Sequence, residues 1–160
     1  MSYYREVGIY ESIFEPSLSG YVMVYDVQGT IENANLSGFN YVEIQLAKYG
    51  EDDKDAIKKT FRVYKIGNRS PSDSNNYELY TLNFVSEEFL LSEQYRISKS
   101  YKGKKISEII TDILKNYLKV GSGKKKPISI TETSGTYDFI LPNKKLFETI
   151  NWYLNQDWIY

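Results

Sequence analysis

Glu11 is the side chain best placed to do chemistry. It shares a period-two face with Val7, Ile9 and Ile13 in the run Arg5–Phe14, so a β-strand there would set its carboxyl among apolar groups. Such burial raises a carboxyl pKa and suits a general acid; a second carboxylate at the right separation would complete a glycan-hydrolysing pair. The sequence places no such partner. A hydrogen-bonded or interface glutamate, or one at a strand edge, accounts for the same pattern. Glu51, Asp52, Asp53 and Asp55 form an acidic group, but without the alternating ligands, turn glycine and closing glutamate of a calcium loop. A solvated loop explains it more simply.

Two further features point toward anions. Gly121-Ser122-Gly123-Lys124 has the composition of a phosphate loop. Its spacing departs from the Walker pattern, Lys125 stands where a hydroxyl is needed, and the segment follows a helical pattern where a strand is required. The stretch 99–126 holds nine lysines and two acids, a charge of +7 against −8 for the rest of the chain. That asymmetry can mark a nucleic-acid surface. The stretch lacks arginine, however, and its aromatics are Tyr101 and Tyr117, the latter on an apolar helical face; a solvated helix and loop is the favoured reading. Asn35-Leu36-Ser37 and Asn68-Arg69-Ser70 have glycosylation spacing, but no secretion signal accompanies them.

What the 160-residue chain lacks narrows the chemistry further. It contains no histidine and no cysteine. The usual neutral-pH base, the commonest metal ligand, thiolate sites and every Ser-His-Asp or Cys-His arrangement go with them. No catalytic, cofactor-binding or metal residue is therefore assigned, no cofactor is expected, and the reading is of a non-enzyme. A 41% apolar, 26% charged composition is that of a folded chain, and a net charge of −1 attracts neither nucleic acid nor an acidic membrane as a whole. Met1–Ile9 has no apolar core of signal-peptide length and no run spans a membrane, so a soluble protein made in the cytoplasm is expected. The 16 tyrosines suit both strands and protein–protein interfaces.

The elements that position these residues change character along the chain. Arg5–Phe14, Tyr21–Val27, Tyr41–Ala47, Thr60–Gly67 and Tyr77–Val85 read as strands, separated by Pro16–Gly20, a charged loop at 50–55 and a polar loop at 68–76. Five strands at this spacing predict an antiparallel barrel or sandwich. Tyr21, Met23 and Tyr25 oppose Val22 and Val24, so one face can fill a barrel while the other needs cover from a helix, a domain or another subunit.

After Ser86 the periodicity becomes helical. Ser86-Glu87-Glu88 offers a cap and acids for a short helix through Leu91. Tyr95–Tyr101 reads as a connecting strand. Ile106, Ile109, Ile110, Ile113, Leu114, Tyr117 and Leu118 predict a helix starting near Lys104 or Lys105 and ended by Gly121. Pro127–Thr133 and Tyr137–Leu141 are short strand candidates. Pro142 and Asn143 should open a second helix carrying Leu146, Phe147, Ile150 and Leu154. The expected class is α+β: residues 1–96 form a β-barrel domain, and residues 97–160 a small α/β domain. The apolar end Asp157–Tyr160 suggests that this second domain is incomplete and that the natural protein continues.

Several ordered runs resemble the N-terminal part of the baseplate hub proteins of contractile-tailed bacteriophages. Tyr10-Glu11-Ser12-Ile13-Phe14 leads through Pro16 and Gly20 into Val22-Met23-Val24-Tyr25-Asp26. Leu36–Ile44, Phe61–Ile66 and Tyr77–Glu88 follow in order, then Arg96–Ile110, then Leu141-Pro142-Asn143 before Phe147–Trp152. The resemblance implies a tail-tube-like β-barrel joined to an α/β domain, as in the related hub of type VI secretion spikes. It implies a homotrimer in the full-length protein, bound to tail tube and spike proteins, with DNA only as passing cargo and no membrane insertion. Its place would be the virion baseplate, after assembly in the host cytoplasm. Alternatives are a tail tube or tail terminator protein, a tail-associated glycan hydrolase using Glu11, or a carbohydrate-binding module using Trp152 and Trp158.

Overall fold

A computed structural model describes residues 3–33, 40–47, 56–71, 77–120 and 126–155. The chain divides into two compact units, Met1–Glu87 and Glu88–Tyr160. Sequence patterning puts this division at 96/97. The helix between the two positions goes with the second unit because Leu91 packs on that unit's core and Ser92 bonds within it.

The first unit is a curled antiparallel sheet, a half-barrel in an α+β fold. Its strands are β1 (Tyr3–Tyr10), β2 (Ser19–Asp26), β3 (Tyr41–Leu46), β4 (Ile57–Pro71) and β5 (Glu78–Val85), in the order β1-β2-β5-β4-β3. A short helical turn, α1 (Thr30–Asn33), follows β2. Val22, Ile44, Phe61 and Phe84 form the buried centre, with Val7, Ile9, Val42 and Leu82 packed around them. The Phe61 and Phe84 rings lie 4.7 Å apart. Phe84 reaches its place because β2 carries glycine opposite it: a Cβ at Gly20 would lie 2.6 Å from the Phe84 ring.

β1 is shorter than its alternation suggests. The backbone N–H of Phe14 donates to Ser12 Oγ (3.2 Å) and that of Glu15 to the Ser12 carbonyl (3.3 Å), so a local turn takes the donors a strand would use. β4 is longer than expected. Ser70 and Pro71, read as loop, pair with Leu79 and Glu78 beyond a bulge between Gly67 and Ser70 in which Asn68 takes a positive φ of 51°. Residues 50–55 and 72–76 of the expected loops lie outside the described residues.

The second unit contains α2 (Glu87–Gln94), β6 (Arg96–Lys104), α3 (Ile106–Asp112, continuing as a π-helical turn Ile113–Tyr117), β7 (Tyr137–Lys145) and α4 (Leu146–Leu154). β6 and β7 form a two-stranded antiparallel ribbon. Ile97, Tyr101, Ile109, Ile113, Leu141, Leu146 and Tyr153 lead its buried core. α3 begins after Lys105, as its periodicity predicts, but ends earlier. Lys119 takes the left-handed conformation (φ 55°) expected of the glycine, and Val120 N–H donates back to the Leu114 carbonyl. Gly121 lies outside the described residues.

Two expectations in this unit fail for one reason, the destination of backbone donors. Pro127–Thr133 is not a strand: Thr133 N–H donates to Ser107 Oγ (3.2 Å) and Ser107 N–H to Thr133 Oγ1 (3.1 Å), so the segment is tied to the start of α3. Pro142 and Asn143 do not open a helix: β7 runs through them to Lys145. α4 starts where Ser92 Oγ accepts the Phe147 N–H (2.9 Å), a cap supplied from α2.

Candidate functional site

Among the described residues the sheet order leaves β1 and β3 as the open edges of the half-barrel. Tyr3, Tyr4 and Tyr10 are exposed on β1, Tyr41 and Leu46 on β3, and Ile57 at the start of β4. The β1–β2 turn presents Ile13 and Phe14, 94% and 87% exposed. Strand edges with exposed apolar side chains are templates for pairing with another chain.

Glu11 does not meet its expected role. It is exposed, beyond the end of β1, and Ile13 stands in solvent near it, so the apolar burial expected of it is not found. Trp152 is also committed elsewhere. It is half-buried, with its ring 5.9 Å from Phe139 and 5.1 Å from Tyr153. Glu51, Asp52, Asp53, Asp55, Gly121–Lys125, Asn35 and Trp158 lie outside the described residues. Among the described residues no group of three or more His, Cys, Asp or Glu side chains could hold a metal, and no helix is long and apolar enough to cross a membrane.

The tyrosines divide between packing and surface. Tyr80 is buried and its hydroxyl donates to Asp26; burial and the Asp26 charge push its pKa up to about 12. Burial does the same for Tyr153, again to about 12. Tyr21 donates to Glu6, and that bond above all raises it to about 12. All three stay neutral near pH 7; Tyr21 and Tyr80 serve as donors, whereas the buried Tyr153 hydroxyl has no hydrogen-bond partner among the described residues.

Two residues that motif reasoning passed over organise their surroundings. Asp26, 2% exposed, accepts from Gln28 N–H (3.0 Å), Thr30 N–H (2.5 Å) and Thr30 Oγ1 (2.8 Å), besides Tyr80. It fastens α1 to the end of β2. Its position, ending an apolar strand before Thr30, is the available sequence signal. Asp112 holds the second cluster. Its Oδ2 accepts from Lys99 Nζ (2.8 Å) and the Tyr101 hydroxyl (2.5 Å), and its Oδ1 from Asn116 Nδ2 (2.6 Å). Partial burial opposes its ionisation, but these donors outweigh it and hold the carboxyl below its ordinary value.

Asp112 lies in a cleft of about 700 Å³ between β6, α3 and the segment carrying Ile130 and Glu132. Several lysines of the +7 stretch are here or nearby, and most are paired. Lys99 meets Asp112, Lys104 meets Glu108 (3.4 Å), Lys105 meets Glu132 (2.5 Å) and Lys126 meets Glu88 (2.9 Å). Lys102 and Lys115, both exposed, have no carboxylate partner among the described residues.

The geometry among the described residues is thus that of a module with open strand edges and a polar cleft. No family model matches the chain. It is similar to a protein named "Probable baseplate hub protein gp334" of Vibrio phage KVP40, at 30% identity over 127 residues, 79% of this chain. The aligned region is 28% of that protein, so the chain spans under a third of its relative's length.

Proposed function

We propose that this chain is a structural part of a contractile phage tail baseplate hub, joining tail tube to central spike through subunit packing and without catalysis. One observation carries the reading: the chain is similar to a hub protein over 79% of its length, and its first unit is a half-barrel whose β1 and β3 edges are unpaired among the described residues. In an assembly those edges take strands or side chains from neighbours, which covers Tyr3, Tyr10 and Leu46. The second unit favours a hub over a simple tube or terminator subunit, which needs no α/β extension. The full-length protein is then a homotrimer bound to tube and spike proteins in the virion baseplate, assembled in the host cytoplasm. DNA passes as cargo and the membrane is not entered.

Light scattering on the natural full-length protein, alone and mixed with tube and spike proteins of the same phage, tests this. Trimers and stable complexes are expected. Tyr3→Lys with Leu46→Lys should abolish association while leaving the circular dichroism spectrum unchanged. A strict monomer that binds neither partner overturns the proposal.

A further inference from the structure

The cleft in the second unit lies along a strand edge that is unpaired among the described residues. Lys99, Ser100, Tyr101, Lys102 and Lys104 of β6 all line it, and no residue of β7 does. Successive side chains of a strand point to opposite faces, so a cleft touched by both sets runs beside the strand, not over one face. β7 occupies the other edge. Over Lys99–Tyr101, where pairing with β7 is regular, the edge facing the cleft presents alternate backbone N–H and C=O groups over about 7 Å; beyond it the strand bulges at Gly103 (φ 60°), whose N–H donates to Asp138 Oδ1 (2.7 Å).

The walls around that edge have a definite character. Asp112, Glu108 and Glu132 are each engaged by a lysine. Among the described residues the charge left over belongs to Lys102 on β6 and Lys115 on α3, both of which line the cleft. Ile130 adds an exposed apolar contact. A nucleic-acid strand fits poorly: the stretch has no arginine, and the one ring in the cleft, Tyr101, is buried and held by Asp112.

We propose that this cleft binds an extended acidic segment of a partner protein, added as a third strand along β6. The segment's backbone pairs with the β6 edge. Its acidic side chains reach Lys102 and Lys115, and a β-branched residue meets Ile130. The proposal concerns the second unit alone and does not depend on the hub reading.

Fluorescence anisotropy on the full chain tests it with labelled seven-residue peptides. One alternates glutamate and valine, one replaces glutamate by lysine, and one keeps glutamate but carries N-methyl groups at alternate residues. The first peptide should bind, and the other two at least about tenfold more weakly. Lys102→Glu and Lys115→Glu, each checked for folding by circular dichroism, should each weaken the glutamate peptide about tenfold. No binding up to about 1 mM overturns the proposal. So does equal binding of the N-methylated peptide, which would reduce the effect to ion attraction. Displacement by single-stranded oligonucleotide would make the cleft a nucleic-acid surface, and self-association that blocks the peptide would make a second copy its occupant; either also refutes it.

Discussion

The two units handle apolar surface in opposite ways. The α/β unit gathers eleven buried residues into one cluster from β6, β7, α3 and α4, whereas the half-barrel centres on a cluster of four. Exposed large apolar side chains run the other way. Among the described residues ten lie in the first unit, from Tyr3 to Tyr64, and five in the second. Helices can close over a two-stranded ribbon, because each brings an apolar stripe to one face. Among the described residues the curled sheet has no such lid, and its remaining apolar surface is exposed. The first unit thus leaves more of its apolar surface exposed than the second, as the proposed assembly role requires.

The comparison breaks first in the cores. Phe84→Ala should cost about 3–5 kcal/mol and Leu146→Ala about 2–5 kcal/mol, measured by urea denaturation. Both side chains are fully buried. In the assembled protein the Phe84→Ala loss should shrink relative to the isolated chain, since partners would brace the half-barrel. Equal losses in both states would remove the contrast between the units.

A smaller effect tests how tightly the half-barrel is packed. Gly20→Ala places a Cβ against the Phe84 ring and should cost about 1–3 kcal/mol by the same measurement. A neutral result would mean that β1, β2 and β5 shift freely, contrary to the tight crossing of Gly8, Gly20 and Phe84.

The smallest effect concerns the polar link in the second unit. Asp112 has its folded pKa lowered, so its stabilisation is present above the ordinary value of 3.8 and fades as pH falls through the folded value. Asp112→Asn should cost about 1 kcal/mol at pH 7 and flatten the acid limb of the stability–pH curve below pH 3.8. An unchanged acid limb would show that Lys99, Tyr101 and Asn116 do not act through this carboxylate.

Strands were legible from period two because one face of each was destined for a core; Val42, Ile44, Leu82 and Phe84 pack as their alternation predicts, whereas Leu46, expected inward with Val42 and Ile44, is exposed at the end of the edge strand β3. The α3 stripe was legible for the same reason at period 3.6. Failures fell where side chains compete for backbone donors. Ser12 ends β1 early, Ser107 captures Thr133, and Ser92 decides where α4 begins. A serine's partner 26 or 55 residues away leaves no mark on local pattern. The Lys99–Tyr101–Asp112–Asn116 cluster was half visible. Lys99 and Tyr101 share a strand face and Asp112 and Asn116 a helix face, but their meeting depends on how α3 crosses β6.

Composition alone removed histidine and cysteine chemistry, since an absent side chain cannot be restored by folding. Periodicity alone determined two kinds of segment and hence an α+β chain. Only the tertiary structure decided that Glu11 is exposed, that β1 and β3 are open edges among the described residues, and that a lysine-lined cleft runs beside β6. Exposure, edges and clefts are properties of which element lies next to which, and that is set by long-range packing, not by any residue's neighbours in sequence.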